Sequence, residues 1–237
     1  MFQTQTATRQ HFIPKSVPSH RPNFSRGKTA RIYAPDRIGI VGFNTEAFVI
    51  APPTFAHHPS LQEQSQGLSQ HVKGVTNMTD GLRVAIEIYL RVPRGILRRI
   101  WLLTDGYPTN ANGYHIKDTS ELMQMVECAR ANFININTIG FGDQYDEALL
   151  RKIAAATHNG KFVPVNSLRE LTNALVGYGD NGNNNNGMRK RHRRSETTVL
   201  AIDLSGSMKG PMEGKTKVQV VEEAILHLLK YKQMQFS

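Results

Sequence analysis

Three short polar segments each border an apolar or amphipathic run: Asp203-Leu204-Ser205-Gly206-Ser207 after TTVLAI, Thr104-Asp105-Gly106 after IWLL, and Gly74-Val75-Thr76-Asn77 ahead of a helical stretch. Together they offer two carboxylates and three hydroxyls, all hard oxygen donors. That set suits Mg²⁺, which takes octahedral oxygen ligation and keeps several positions for water or an external ligand. The Asp-x-Ser-x-Ser spacing has a physical reason. A turn leaving a strand points residues i, i+2 and i+4 toward one centre, whereas a helix would splay them. Few protein charges on such a metal leave it electrophilic, ready for an outside carboxylate.

Competing chemistries find less support. A phosphoryl-transfer enzyme also places an aspartate after a buried strand, but it usually carries a second carboxylate two residues on, where this chain has Ser205. Leu204 and Met208 flank the serine pair, so the Gly-x-Ser-x-Gly elbow of a hydrolase is missing, and no histidine has an indicated triad role. Gly140-Phe141-Gly142 lacks the third glycine of a dinucleotide fingerprint. The single cysteine, Cys128, excludes an intramolecular disulfide framework and a multi-cysteine zinc site; it reads as helix-face packing. Trp101, Met123 and Met125 read as packing too, and His57-His58 as a solvated pair in a Pro-flanked loop.

The elements that must position the three segments alternate between strand and helix. RIGIVGF (37–43) and AFVIA (47–51) read as a hairpin, closed by Pro52-Pro53 because proline cannot donate to a ladder. A short helix is expected near 61–72 and an amphipathic helix over Asp80–Val92, with Leu82, Ala85, Ile86, Tyr89 and Leu90 at helical spacing. IWLLTDG (100–106) is a buried parallel strand, Ser120–Phe133 a helix, NINTIGFG (135–142) a strand, and Asp146–Thr157 a helix stopped by Gly160. KFVPV (161–165) is a short strand, and Ser167-Leu168-Arg169-Glu170 opens a helix with capping-box spacing. TTVLAIDLSGSM (197–208) is the most apolar strand, and Thr216–Lys232 a final helix. This alternation predicts an α/β fold: a doubly wound, mostly parallel six-stranded sheet with one antiparallel edge strand and helices on both faces.

Of 237 residues, 39% are hydrophobic, enough for a sizeable core. No apolar run reaches the roughly 20 residues of a membrane-spanning helix. The net charge is +10, but its location matters more. Residues 1–35 hold six basic and no acidic residues, and MRKRHRR (188–194) adds five more basic ones. Removing those eleven leaves 18 basic against 19 acidic residues, so the folded part is close to neutral and nucleic-acid binding by it is not expected. The first 35 residues, with Pro14, Pro18 and Pro22 and no apolar period, are expected to be a disordered basic tail. GYGDNGNNNNG (177–187) and the basic run form an expected linker over 178–196, dividing one domain (36–237) into 36–177 and 197–237. The cytoplasm is the default location, with organellar targeting by the acid-free N-terminus as the alternative.

At this point the residues carry a resemblance. The chain resembles the von Willebrand factor A family over roughly 37–177 plus 197–237. That family's metal-ion-dependent adhesion site is an Asp-x-Ser-x-Ser turn, a distant Thr and a distant Asp. Mapped by motif, Asp203, Ser205 and Ser207 match the turn, Thr76 the threonine (in Gly-Val-Thr-Asn, with Thr79 as the fallback) and Asp105 the aspartate of Leu-Leu-Thr-Asp-Gly. The resemblance implies Mg²⁺, with Mn²⁺ or Ca²⁺ as substitutes, and a protein partner whose acidic residue completes the coordination. It implies a binding module and no catalytic activity; a metal-free scaffold with the same residues, and an enzyme using Asp203, are the alternatives. The order of elements departs from the family, whose first strand and helix come last here, as in a circular permutant. A linker of about 15–20 residues reaches roughly 20–25 Å, enough to join ends that lie close together. A closed monomer is the expectation and a swapped dimer the alternative.

Overall fold

All eight residues of strand Glu196–Asp203 are buried. Val199 and Ala201 pack into one apolar cluster and Leu200 and Ile202 into the other, as the two-residue period of a strand requires. A strand apolar on both faces belongs inside a sheet covered on both sides. The computed structural model, which describes residues 35–91, 95–177 and 195–234, places it there. The expected basic tail, apart from its last residue, and nearly all of the expected linker lie outside the described residues.

The sheet comprises β1 (Arg37–Phe43), β2 (Ala47–Phe55), β3 (Leu97–Thr104), β4 (Ile134–Phe141), β5 (Phe162–Val165) and β6 (Glu196–Asp203), in the order β2-β1-β6-β3-β4-β5. Strands β1, β6, β3, β4 and β5 run parallel; β2 pairs antiparallel with β1 at one edge. Among the described residues six helices cover it: α1 (Pro59–Ser65), α2 (Met78–Leu90), α3 (Ser120–Ala131), α4 (Glu147–Ala155), α5 (Leu168–Gly177) and α6 (Lys217–Met234). Leu82 of α2, Val126 of α3 and Leu150 of α4 pack with Val199 and Ala201. Leu61 of α1, Leu171 of α5 and Ala224 of α6 pack with Leu200 and Ile202. The mixed α/β sheet expected from the alternation is the observed one.

The edges differ in ways that have local causes. Strand β2 continues through Pro52 and Pro53 to Phe55 instead of stopping at them. An edge strand tolerates proline because one row of its N–H groups has no ladder partner, and the register shifts around Ile40 absorb the misfit. The expected 61–72 helix divides into α1 and a 3-10 turn, Leu68–His71, with Gly67 between them. Gly160 does not end α4, whose cap is Ala156. It is a point of close approach, where a Cβ would lie 2.2 Å from the Ile136 carbonyl oxygen. The capping box before α5 is half formed as expected: Ser167 Oγ accepts from Glu170 N at 3.2 Å, while Glu170 accepts from Asn166 N, one residue earlier than the motif predicts. Cys128 is partly buried against the core and Trp101 is fully inside it, as the sequence indicates.

Because five strands are parallel, their carboxyl ends reach one edge of the sheet. In open α/β sheets that edge gathers the ligand-binding loops.

Candidate metal centre

Strand β6 ends at Asp203, directly across from the end of β3 at Thr104. Thr104 Oγ1 donates to Asp203 Oδ2 at 2.6 Å, and Ser205 N donates to Oδ1 at 2.9 Å. Asp203 is completely buried. Burial is the main cause that raises its pKa to about 6, and repulsion from Asp105 adds to it; the hydrogen bonds from Thr104 and Ser205 pull the other way. A carboxylate desolvated beside a second carboxylate is poised to gain from a cation.

The turn after β6 brings the hydroxyls forward. Ser205 Oγ and Ser207 Oγ lie 2.9 Å apart, and Ser207 Oγ donates to Asp105 Oδ1 at 2.7 Å. Ser207 opens into a 3-10 turn, Gly206–Lys209, followed by a two-residue ribbon (Pro211–Met212 with Lys215–Thr216) that leads into α6. Asp105 directly follows β3 and is 1% exposed. The turn thus sets the two serine hydroxyls side by side and carries Ser207 to Asp105, while the Asp203 carboxylate is held by Thr104 Oγ1 and Ser205 N.

The third segment is held by glycine geometry. Gly74 adopts a left-handed conformation, φ 68°, which L side chains avoid. Its carbonyl accepts from Gly206 N at 3.1 Å, fastening the 74–77 loop to the serine turn. Thr76 is buried, and its Oγ1 lies 3.1 Å from where a Cβ on Gly106 would sit. Thr76 O also accepts from Thr109 N at 2.9 Å, tying in the loop after β3. Thr79, the fallback, lies in the first turn of α2 and is half-buried. Asn77 caps that helix by accepting from Asp80 N at 3.3 Å, which fixes the turn that presents Thr76.

Two partners were invisible in the sequence reading. Thr104, which in the sequence only leads into Asp105, donates to Asp203. Lys217, the first residue of α6, places Nζ 2.6 Å from Asp105 Oδ2. The only local signal for Lys217 was its position at the start of a helix, which says nothing about a partner 112 residues away.

The donor set expected from the sequence is two carboxylates and three hydroxyls. Among the described residues no three His, Cys, Asp or Glu side chains cluster, so any metal here would depend on hydroxyl oxygens. Such a set fits a small hard dication and not a thiolate- or imidazole-seeking metal.

The family model of the von Willebrand factor type A domain matches residues 32–176, more than half of the chain. The chain belongs to this family. In this von Willebrand factor type A domain, the matched stretch runs from just before β1 to the last turns of α5, and β6 and α6 follow it. No curated protein matches the domain. Among solved structures, it is similar to an uncharacterized membrane spanning protein from Vibrio fischeri, with 25% identity over 61% of this chain and 75% of that chain and a TM-score of 0.28. In the domain itself no helix among the described residues is long and apolar enough to cross a membrane.

Proposed function

We propose that this von Willebrand factor type A domain is a metal-dependent protein-binding module. Ser205, Ser207 and Thr76 would hold Mg²⁺ directly or through water, with Asp203 and Asp105 supplying the neutralising charge. Mn²⁺ or Ca²⁺ would substitute. The bound ion supplies an electrophilic site for an acidic side chain of a protein partner. This chain's own residues orient the hydroxyls, keep Asp203 dry and fix both loops. Catalysis has no part in this reading.

The observation that carries it is the hydrogen-bonded run from Ser205 through Ser207 to Asp105, which unites oxygens from the loops after β6 and β3 within normal bonding distances. A protein face for a partner is supported by the exposed aromatic groups on the loop after Asp105. Tyr107 is half exposed and packs edge-on against His115, and Tyr114 is largely exposed. Tyrosines at a rim are favoured contact residues in protein interfaces.

The same reading includes the permuted order and a closed monomer. Strand β6 fills the gap between β1 and β3, and the family match stops before it begins. Gel filtration of the whole chain tests closure: a monomer peak agrees, and an obligate dimer favours exchange of the last strand and helix.

A metal-free scaffold is the second reading, favoured by one observation: Asp105 already has Lys217 and Ser207 as partners. Thermal melting in chelator and then with millimolar Mg²⁺ separates the two. A rise in Tm that Asp203→Ala abolishes agrees with the metal site; no shift with millimolar metal favours the scaffold.

A further inference from the structure

Lys217 is unexplained by the ligand set, yet it is built into the site. Its backbone N donates to Gly210 O at 2.9 Å, which anchors its base. Its side chain is 16% exposed, while that of Asp105 is fully buried. Gly142, left-handed at φ 86°, passes beside the ammonium: a Cβ there would lie 3.3 Å from Nζ. The two oxygens of Asp105 are divided between neighbours, Oδ1 to the Ser207 hydroxyl and Oδ2 to Lys217.

We infer that Lys217 is a tethered cation that competes with the divalent ion for Asp105 and thereby sets the metal affinity of the site. The inference rests on the metal-site reading above. One carboxylate cannot serve an ammonium at bonding distance and a dication beside it without strong repulsion, because charges in a partly buried site are weakly screened. To admit the ion, Lys217 must swing away from Asp105 Oδ2. Its unbranched stem allows that, and its partial exposure leaves a route to water. The lysine thus supplies countercharge to a buried carboxylate when no ion is bound, and lowers affinity so that binding depends on metal concentration or on the partner.

The test is calorimetric titration of MgCl₂ into the full chain, its Lys217→Met and Lys217→Arg variants, and Asp203→Asn as the blank. Lys217→Met keeps the stem and removes the charge; it is expected to bind Mg²⁺ about tenfold tighter or more, the order set by one weakly screened unit charge. Lys217→Arg is expected to stay near wild type. Melting in chelator supplies a second readout: Lys217→Met lowers Tm, and Mg²⁺ raises it by more than in wild type. Equal or weaker Mg²⁺ binding by Lys217→Met overturns the competition, while wild-type binding that Asp203→Asn removes leaves the metal site standing. Absence of Mg²⁺ binding in both wild type and Lys217→Met, with both chains folded by circular dichroism, overturns the metal site and the competition together.

Discussion

Ser207 Oγ donates to Asp105 Oδ1 at 2.7 Å across 102 residues of sequence. The contact joins the turn after the central strand β6 to the loop after its neighbour β3. It exists because parallel strands deliver their carboxyl ends to a common edge. Several properties of the molecule depend on that convergence.

Replacing Asp203 by Asn should remove the Mg²⁺-dependent rise in Tm and leave the fold intact. Asn keeps an acceptor for Ser205 N, and the Thr104 hydroxyl can turn to accept from the amide. It also removes a desolvated charge, so stability in chelator should change by no more than about 1 kcal/mol or rise. Differential scanning calorimetry with and without Mg²⁺ checks both parts; unfolding of the variant would mean that the carboxylate is structural.

Gly74→Ala should cost about 1–3 kcal/mol through its left-handed backbone alone. The added Cβ would also lie 2.3 Å from Thr45 Oγ1, a contact the exposed Thr45 side chain relieves by rotating. Relaxation of the strained backbone draws the Gly74 carbonyl away from Gly206 N, and Mg²⁺ affinity should fall with it. Urea unfolding and metal titration of the same sample measure the two effects.

At the opposite edge, Lys232 Nζ and Asp36 Oδ2 form a buried ion pair at 2.6 Å, and Asp36 Oδ1 accepts from Glu196 N at 3.0 Å. Lys232→Met removes this ammonium from a buried carboxylate and should destabilise by about 3–5 kcal/mol. The double variant Asp36→Asn with Lys232→Met should recover most of the loss, because the amide still accepts from Glu196 N. A double-mutant cycle in urea gives the coupling; equal losses in single and double variants would contradict it.

Tyr89 is wholly buried between α2 and the sheet, with its Oη 2.7 Å from the Thr197 carbonyl oxygen and accepting from Arg99 N at 3.1 Å. Burial is the largest cause holding its pKa far above the ordinary tyrosine value. A group raised on folding contributes stability below its unfolded pKa, near 10 for tyrosine, and loses it as pH climbs beyond that point. Stability should therefore fall above pH 10 by up to about 1.4 kcal/mol per pH unit from this residue. Tyr89→Phe should lose about 1–3 kcal/mol at neutral pH and show a shallower alkaline slope. Guanidinium titrations at neutral and alkaline pH measure it.

Element types and buried faces were legible because they depend on short-range periodicity. Leu82, Ala85, Ile86 and Tyr89 recur at i, i+3, i+4 and i+7 and do line the inner face of α2, whereas Leu90, expected beside them, is the last residue of the helix and is 58% exposed. The unbroken apolar run ahead of Asp203 did mark a strand buried on both sides. The pairing of the Ser205 and Ser207 hydroxyls was legible for the same reason, since it is set within three residues. The prolines of β2 misled because their cost depends on whether a strand lies at an edge, and that is settled by its neighbours. Gly160 misled because its close approach to the Ile136 carbonyl comes from another strand.

By itself, then, the sequence determined which segments become strands and helices, which faces they bury, and which oxygens cluster in the turn after β6. Tertiary structure alone decided that β6 lies between β1 and β3, that Thr76 meets Gly106, that Lys217 reaches Asp105 and that Lys232 reaches Asp36. Local patterns are fixed by rotations about neighbouring backbone bonds, whereas a meeting between charges 112 or 196 residues apart depends on the path of the whole chain between them.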